Sequence, residues 1–217
     1  RNMLVKVSLI QSTQHPIETI SNIASICYDS DPEDPLKLVK HLYKSGHHSV
    51  FEHIYFTFKI EGISRACSHQ LVRHRLASYA QRSQRYCDEA GFEFVIPPTI
   101  EKNPEALIAY VDLMNKIEDV YKLLRQMGVA PEDARFTLPN ACCTEICVKM
   151  NLRTFINFCN ERLCSCAQWE IRKLAKEAGF EKLIVTAKHH DGFCIWNSAF
   201  TTYDVESTSY ADYNYDG

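Results

Sequence analysis

The chain has 217 residues, 46% of them hydrophobic and 24% charged, with a formal net charge of −3. That is enough chain for one sizeable core, or for one domain with an appendage, and its acidic balance argues against a general nucleic-acid binder. Its apolar runs are too short to span a bilayer, so no membrane is expected as a partner, and no charged-then-apolar leader opens the chain; the residues ahead of Met3 are read as upstream sequence.

In chain order, "MLVKVSLI" (3–10) predicts a strand and "HPIETISNIASICYDS" a short helix, its apolar residues recurring at helical spacing. "DPLKLVKHLYKSG" (34–46) predicts a helix with Leu38, Leu42 and Tyr43 on one face, stopped at Gly46. "HIYFTFKIEG" alternates and is rich in aromatic and β-branched residues, as a strand would be. "ISRACSHQLVRHR" reads as a helix and "FEFVIPP" as a short strand closed by prolines. "PEALIAYVDLMNKIEDVYKLLRQMG" predicts a long helix with Tyr110, Leu113, Ile117, Tyr121 and Leu124 along one stripe, ended by Gly128. "APEDARFTLP" starts another helix at Pro131, "CCTEICVKMN" alternates like a strand, and "LRTFINFCNERLCSCAQWEIRKLAKEAG" reads as one long amphipathic helix. Helices and strands interleave without a strict βαβ beat or a Gly-rich phosphate loop, so the fold class is α+β.

The ten cysteines do not suit a disulfide scaffold, which belongs to small chains poor in core. Cys142, Cys143 and Cys147, then Cys159, Cys164 and Cys166, also lack the paired knuckles of a zinc site. Reduced and mostly buried thiols are expected, in a reducing cytoplasm, with no metal. After Gly179 the composition changes: residues 189–217 hold five acids and no Lys or Arg.

One stretch concentrates positive charge. "RHRLASYAQRSQRY" (73–86) carries Arg73, Arg75, Arg82 and Arg85, and from Ile63 to Cys87 there is no Asp or Glu. An Arg-rich run is often only a solvated face. Here the charges are Arg, interleaved with small residues and with Gln70, Gln81, Ser83 and Gln84. The guanidinium fork binds phosphate in a bidentate way, while amides and hydroxyls read the edge of a base. Four arginines so close repel one another unless an anion lies between them. A nucleotide or dinucleotide site is expected.

Arg73-His74-Arg75, seven residues and Ser83 match the RHR-x7-S signature of the flavin-dependent thymidylate synthases, which this chain resembles over roughly residues 4–178. "GHHSVFEHIYFTF", "ARFTLP" and "NLRTFINFCNERLCSCAQWEI" resemble three further segments of that family in the same order. The resemblance implies a synthase fold, with a mixed or antiparallel sheet and long helices, over 1–178. It implies reductive methylation of dUMP to dTMP with FAD, NADPH and 5,10-methylenetetrahydrofolate, in a homotetramer whose active sites are shared between subunits. The implied FAD contacts are Ser49, Arg73, His74, Arg75, Gln81, Asn151, Arg153 and Asn157. The implied dUMP contacts are Gln70, Arg73, Gln81, Arg82, Ser83, Gln84, Arg85, Arg135 and Arg162, with Arg162 assigned to activation of dUMP. His47 and Glu52 match further positions near the flavin or folate. Gln81 stands where many members have glutamate, Cys166 where a histidine is frequent, and Glu161 where others have an apolar residue.

"LAKEAGFEKLIVTAKHHDGFCIWNSAFTTYDV" (174–205) is instead similar to a stretch of the TIM-barrel α-L-fucosidases, whose two histidines bind the sugar. A barrel needs eight strand–helix units, and one is present. His189 and His190 are therefore read as a loop pair, and 179–217 as a foreign C-terminal segment rather than a domain. The alternatives to the synthase reading are a glycoside hydrolase fragment and a basic RNA-binding module.

Overall fold

A computed structural model describes residues 5–28 and 33–179. The order of elements is β1 (Lys6–Ser12), α1 (Pro16–Tyr28), α2 (Pro35–Lys44), a 3-10 turn (Ser49–His53), β2 (Tyr55–Ser64), α3 (Arg65–Leu71) and β3 (Ala77–Gln81). It continues with α4 (Pro98–Glu101), α5 (Pro104–Gln126), α6 (Pro131–Ala134), a second 3-10 turn (Arg135–Thr137), β4 (Cys143–Asn151), α7 (Leu152–Arg162) and α8 (Trp169–Glu177). The strands form a four-stranded antiparallel sheet in the order β1-β2-β4-β3, and the class is α+β as expected. No helix among the described residues is long and apolar enough to cross a membrane.

The described residues fall into two compact units, 5–8 with 58–148 and 9–28 with 33–57 and 149–179. In the first, Phe92, Phe94, Met114 and Cys142 form a buried cluster against which Tyr110, Val111, Ile117 and Leu138 pack. Asn103 caps α5 by accepting from the Glu105 and Ala106 N–H groups at 3.1 and 3.2 Å, and Pro104 suits its first turn. Gly128, at φ 85°, takes the left-handed conformation that ends the helix. In the second unit α1 packs on α2, and α7 packs on α8 and on the first 3-10 turn. Its buried residues include Ile20, Val39, Leu42, Phe51, Ile54, Phe56, Phe155, Phe158, Ile171 and Leu174.

Several elements differ from the sequence reading. The stripe buried by α5 centres on Met114 and Tyr121, whereas Leu113 is 51% exposed; one residue's rotation of about 100° moves Leu113 off the i, i+4, i+7 line that runs through Tyr110, Met114, Ile117 and Tyr121. "FEFVIPP" makes only an isolated bridge between Phe94 and Cys142, because Pro97 and Pro98 have no N–H with which to extend pairing. The helix read over 63–75 stops at Leu71. The Tyr79 hydroxyl supplies the partner there, lying 2.9 Å from the Leu71 carbonyl and 2.8 Å from that of His74, and the chain continues into β3, a strand the sequence reading lacked. The long C-terminal helix is two helices. A β-turn closes between them, with the Ala167 N–H donating to the Cys164 carbonyl at 3.0 Å. The Gln168 side chain then caps α8, accepting from the Glu170 and Ile171 N–H groups; Gln lies outside the usual capping set, so the break carried little sequence signal. The described cysteines are free, but only Cys67, Cys142 and Cys159 are buried, which corrects the expectation of mostly buried thiols. Apart from Gly179, the segment read as foreign lies outside the described residues.

Candidate active site

In the first unit α3, the turn after it and β3 display the arginine-rich stretch. Gln70 is half-buried on the last turn of α3, Arg73 and Arg75 are exposed, and His74 between them is 8% exposed. Tyr79 is fixed by its two carbonyl contacts, and burial pushes its phenol up to about 12, so it stays a neutral donor. Gln81 ends β3 with its amide nitrogen donating to Ser68 Oγ at 2.9 Å and to Thr144 Oγ1 at 3.2 Å. Both amide hydrogens are thereby used, so the Gln81 carbonyl oxygen is the end left over.

The four arginines are not all unneutralised, which corrects one expectation. Arg82 Nε donates to Glu89 Oε1 at 3.0 Å, and the charge of Glu89 raises the guanidinium pKa further. Glu89 itself is 8% exposed, with its backbone N–H donating to the Tyr121 hydroxyl at 3.1 Å. Arg85 donates through Nε and Nη2 to one oxygen of Glu132 at 3.2 and 3.1 Å, and Arg135 Nε donates to the Glu132 carbonyl at 3.1 Å. Glu132 thus gathers Arg85 and Arg135, two residues that lie 50 positions apart in the sequence. The Arg73 and Arg75 side chains make no ion pair among the described residues. Glu89 and Glu132 were absent from the sequence reading because both lie outside the acid-free stretch; Glu132, three residues before Arg135 in the "PEDAR" turn, was the more legible of the two.

Ser83 Oγ accepts from the Arg85 N–H at 3.3 Å, and Gln84 reaches the Cys142 sulfur at 3.7 Å. Burial pushes the Cys142 thiol up to about 11, so it is no nucleophile at neutral pH. A depression in this unit is lined by Glu61, Arg82, Asp88, Glu89, Glu93 and Glu145 among others. Its carboxylates outnumber the one guanidinium among them and give it the wrong sign for a phosphate.

In the second unit Ser49 opens the first 3-10 turn and is exposed, as is His47. Asn151 caps α7 by accepting from the Thr154 N–H at 2.8 Å, so its amide nitrogen is the end left over. Arg153, Asn157 and Glu161 follow at i, i+4 spacing on the exposed face of α7, while Phe155, Phe158 and Cys159 on the other face are buried. Arg153 pairs with Glu52 at 2.5 Å, and Asn157 donates to Glu161 at 2.9 Å; Glu161 therefore belongs to the polar face. Arg162, the last residue of α7, is half-buried. Sequence-predicted ligands thus occur as two sets, one on each unit. No group of three or more His, Cys, Asp or Glu arranged to hold a metal occurs among the described residues.

The sequence model of a family described as "Thymidylate synthase complementing protein" matches residues 8–182. A second, described as "Alpha-L-fucosidase", matches residues 157–213. Relatives named flavin-dependent thymidylate synthase include one from Clostridium tetani, 39% identical over 203 residues and covering 82% of each chain. One from Geobacter sulfurreducens is 44% identical over 185 residues, covering 80% of each. One from Pyrococcus furiosus is 45% identical over 186 residues, covering 79% of this chain and 76% of the relative.

Proposed function

The chain belongs to the flavin-dependent thymidylate synthase family, and from that premise we propose that it makes dTMP from dUMP, with FAD as bound cofactor and with NADPH and 5,10-methylenetetrahydrofolate as co-substrates. The observation that carries the reading is the acid-free Arg73–Arg85 stretch, in which Arg73 and Arg75 are exposed without an ion pair among the described residues and lie in register with the family signature. Such a donor set suits the phosphates of a dinucleotide and a nucleotide. Ser49, Arg73, His74, Arg75, Gln81, Asn151, Arg153 and Asn157 would hold the flavin. Gln70, Arg73, Gln81, Arg82, Ser83, Gln84, Arg85, Arg135 and Arg162 would hold dUMP.

Bound flavin supplies the reducing equivalents, and the protein supplies placement and electrostatics. Ser83 serves as a phosphate ligand rather than a nucleophile: its oxygen accepts from Arg85 N–H, its hydroxyl proton is left to donate to a phosphate oxygen, and arginines rather than a base flank it. Arg85 is held by Glu132 on one edge of its fork, which orients it without closing off its remaining N–H groups. The guanidinium of Arg162 stays protonated, so it cannot take a proton; it stabilises negative charge developing at N3 and O4 of the uracil ring. With carboxamide in place of carboxylate, Gln81 offers a carbonyl acceptor without adding a negative charge beside the phosphates.

We take the assembly to be a homotetramer with shared sites, which native mass spectrometry tests. The fucosidase-like match covers only residues 157–213 and overlaps the synthase match, far less than the eight units a sugar-cleaving barrel requires. The test of function is direct: the purified protein should carry flavin absorbance and convert dUMP to dTMP only when NADPH and methylenetetrahydrofolate are both present. A colourless protein that takes up no added FAD would overturn the proposal.

A further inference from the structure

The turn that breaks the predicted long helix holds two cysteines that the thymidylate reaction leaves unused. Cys164 and Cys166 occupy the first and third positions of the β-turn closed by the Ala167 N–H on the Cys164 carbonyl, and both are exposed. Arg172 Nη1 donates to the Ser165 carbonyl at 3.0 Å and ties this turn back to α8. Two Cα–Cα steps of about 3.8 Å bent through a turn fall within the roughly 4.4–6.8 Å over which two cysteines can be bridged. Beside this geometry, hydrogen bonding from Cys166 and Ser165 and the charge of Arg172 hold the Cys164 thiol below its ordinary value and favour the reactive thiolate. Buried Cys142 and Cys159 are the opposite case, pushed up to about 11 and about 12. Leu163, whose N–H ends α7 on the Cys159 carbonyl at 2.9 Å, is the one residue between this turn and Arg162.

We propose that Cys164 and Cys166 are a reversible dithiol–disulfide site, oxidised by small disulfides of the glutathione class, whose state sets the position of Arg162. The Cys164 thiolate attacks one sulfur of the small disulfide, giving a mixed disulfide and releasing one thiol. The Cys166 sulfur then attacks Cys164, forming the internal disulfide and releasing the second thiol. Two protein thiols are oxidised, one small disulfide is reduced to two thiols, and the two protons leave on those thiols. Closing the ring redraws the turn that ends α7, and with it the last residue of that helix. The consequence for turnover rests on the role proposed for Arg162; the oxidation itself does not.

The flavin-loaded protein is incubated with oxidised glutathione, its remaining thiols are alkylated, and it is cut with trypsin without reduction. The peptide Leu163–Arg172 contains no other cysteine. It should be lighter by two hydrogens and unalkylated, and Cys166→Ser should instead trap one glutathione on Cys164. The same oxidised sample should retain its flavin, lose most of its turnover and regain it with dithiothreitol, while Cys164→Ser turns over normally and resists the oxidant. A peptide that stays a dithiol, or takes up glutathione on both sulfurs, overturns the site. An internal disulfide with unchanged turnover overturns the link to Arg162. Failure of the thymidylate reading itself would appear separately, as no turnover before oxidation with the mass change intact.

Discussion

Replacing Tyr121 by Phe tests how the arginine stretch is anchored from beneath. Tyr121 is fully buried on α5, and its hydroxyl oxygen accepts from the Glu89 N–H at 3.1 Å. Glu89 in turn takes the Nε hydrogen bond of Arg82 at 3.0 Å. Phenylalanine keeps the ring and its packing, so no cavity term enters. What is lost is one hydrogen bond and the acceptor for a backbone N–H belonging to a residue only 8% exposed. A buried donor left without a partner costs about 1–3 kcal/mol. At about 2–4 °C per kcal/mol for a chain of this size, the melting temperature should fall by about 2–12 °C. Because the loop at 88–91 is what presents the Glu89 carboxylate to Arg82, KM for dUMP should rise while flavin content holds. Thermal melting and steady-state kinetics on the same preparation measure both. A melting point within about 1 °C of the parent, with KM unmoved, would show that the hydroxyl does not organise this loop.

Arg162→Lys keeps the charge but loses the planar fork, so turnover should fall about 100- to 1000-fold with flavin retained; near-native turnover would remove Arg162 from the activating role. Glu132→Gln should change stability by less than about 1 kcal/mol, because both partners of its ion pair with Arg85 are half exposed, yet it should alter the salt dependence of dUMP binding; a large loss of stability in urea would contradict that. Cys142 and Cys159 have folded-state values raised to about 11 and about 12 against an ordinary 9.0. Their contribution to stability is therefore complete below pH 9 and is lost as pH rises through those folded values, as unfolding releases their protons. Urea midpoints measured from pH about 8 upward should fall more steeply for the parent than for a Cys142→Ala, Cys159→Ala variant compared with its own low-pH value. Removal of residues 180–217 should leave flavin content unchanged, since every proposed ligand precedes them, and no fucose should be released from an aryl fucoside by the full chain; the visible spectrum and a chromogenic assay decide.

Local chemistry was enough to mark much of this protein in its sequence. The start of α5 at Pro104 and its end at Gly128, the alternation in β2 and β4, and the charge pattern around Arg73–Arg85 are short-range signals carried by neighbouring residues. The acid-free run from 63 to 87 pointed to an anion before any fold was known. Long-range pairing lay beyond that reading. β3 is a strand because its backbone meets β4, with the Arg82 N–H donating to the Glu145 carbonyl at 2.9 Å, a partner 63 residues away. Arg82 and Arg85 are neutralised by Glu89 and Glu132 because a loop and a distant helical turn are brought beside them. The break between α7 and α8 depends on a turn and a glutamine cap whose energies are small beside the helical periodicity around them. Sequence pattern reports which residues a segment buries; only the folded backbone decides which charges meet.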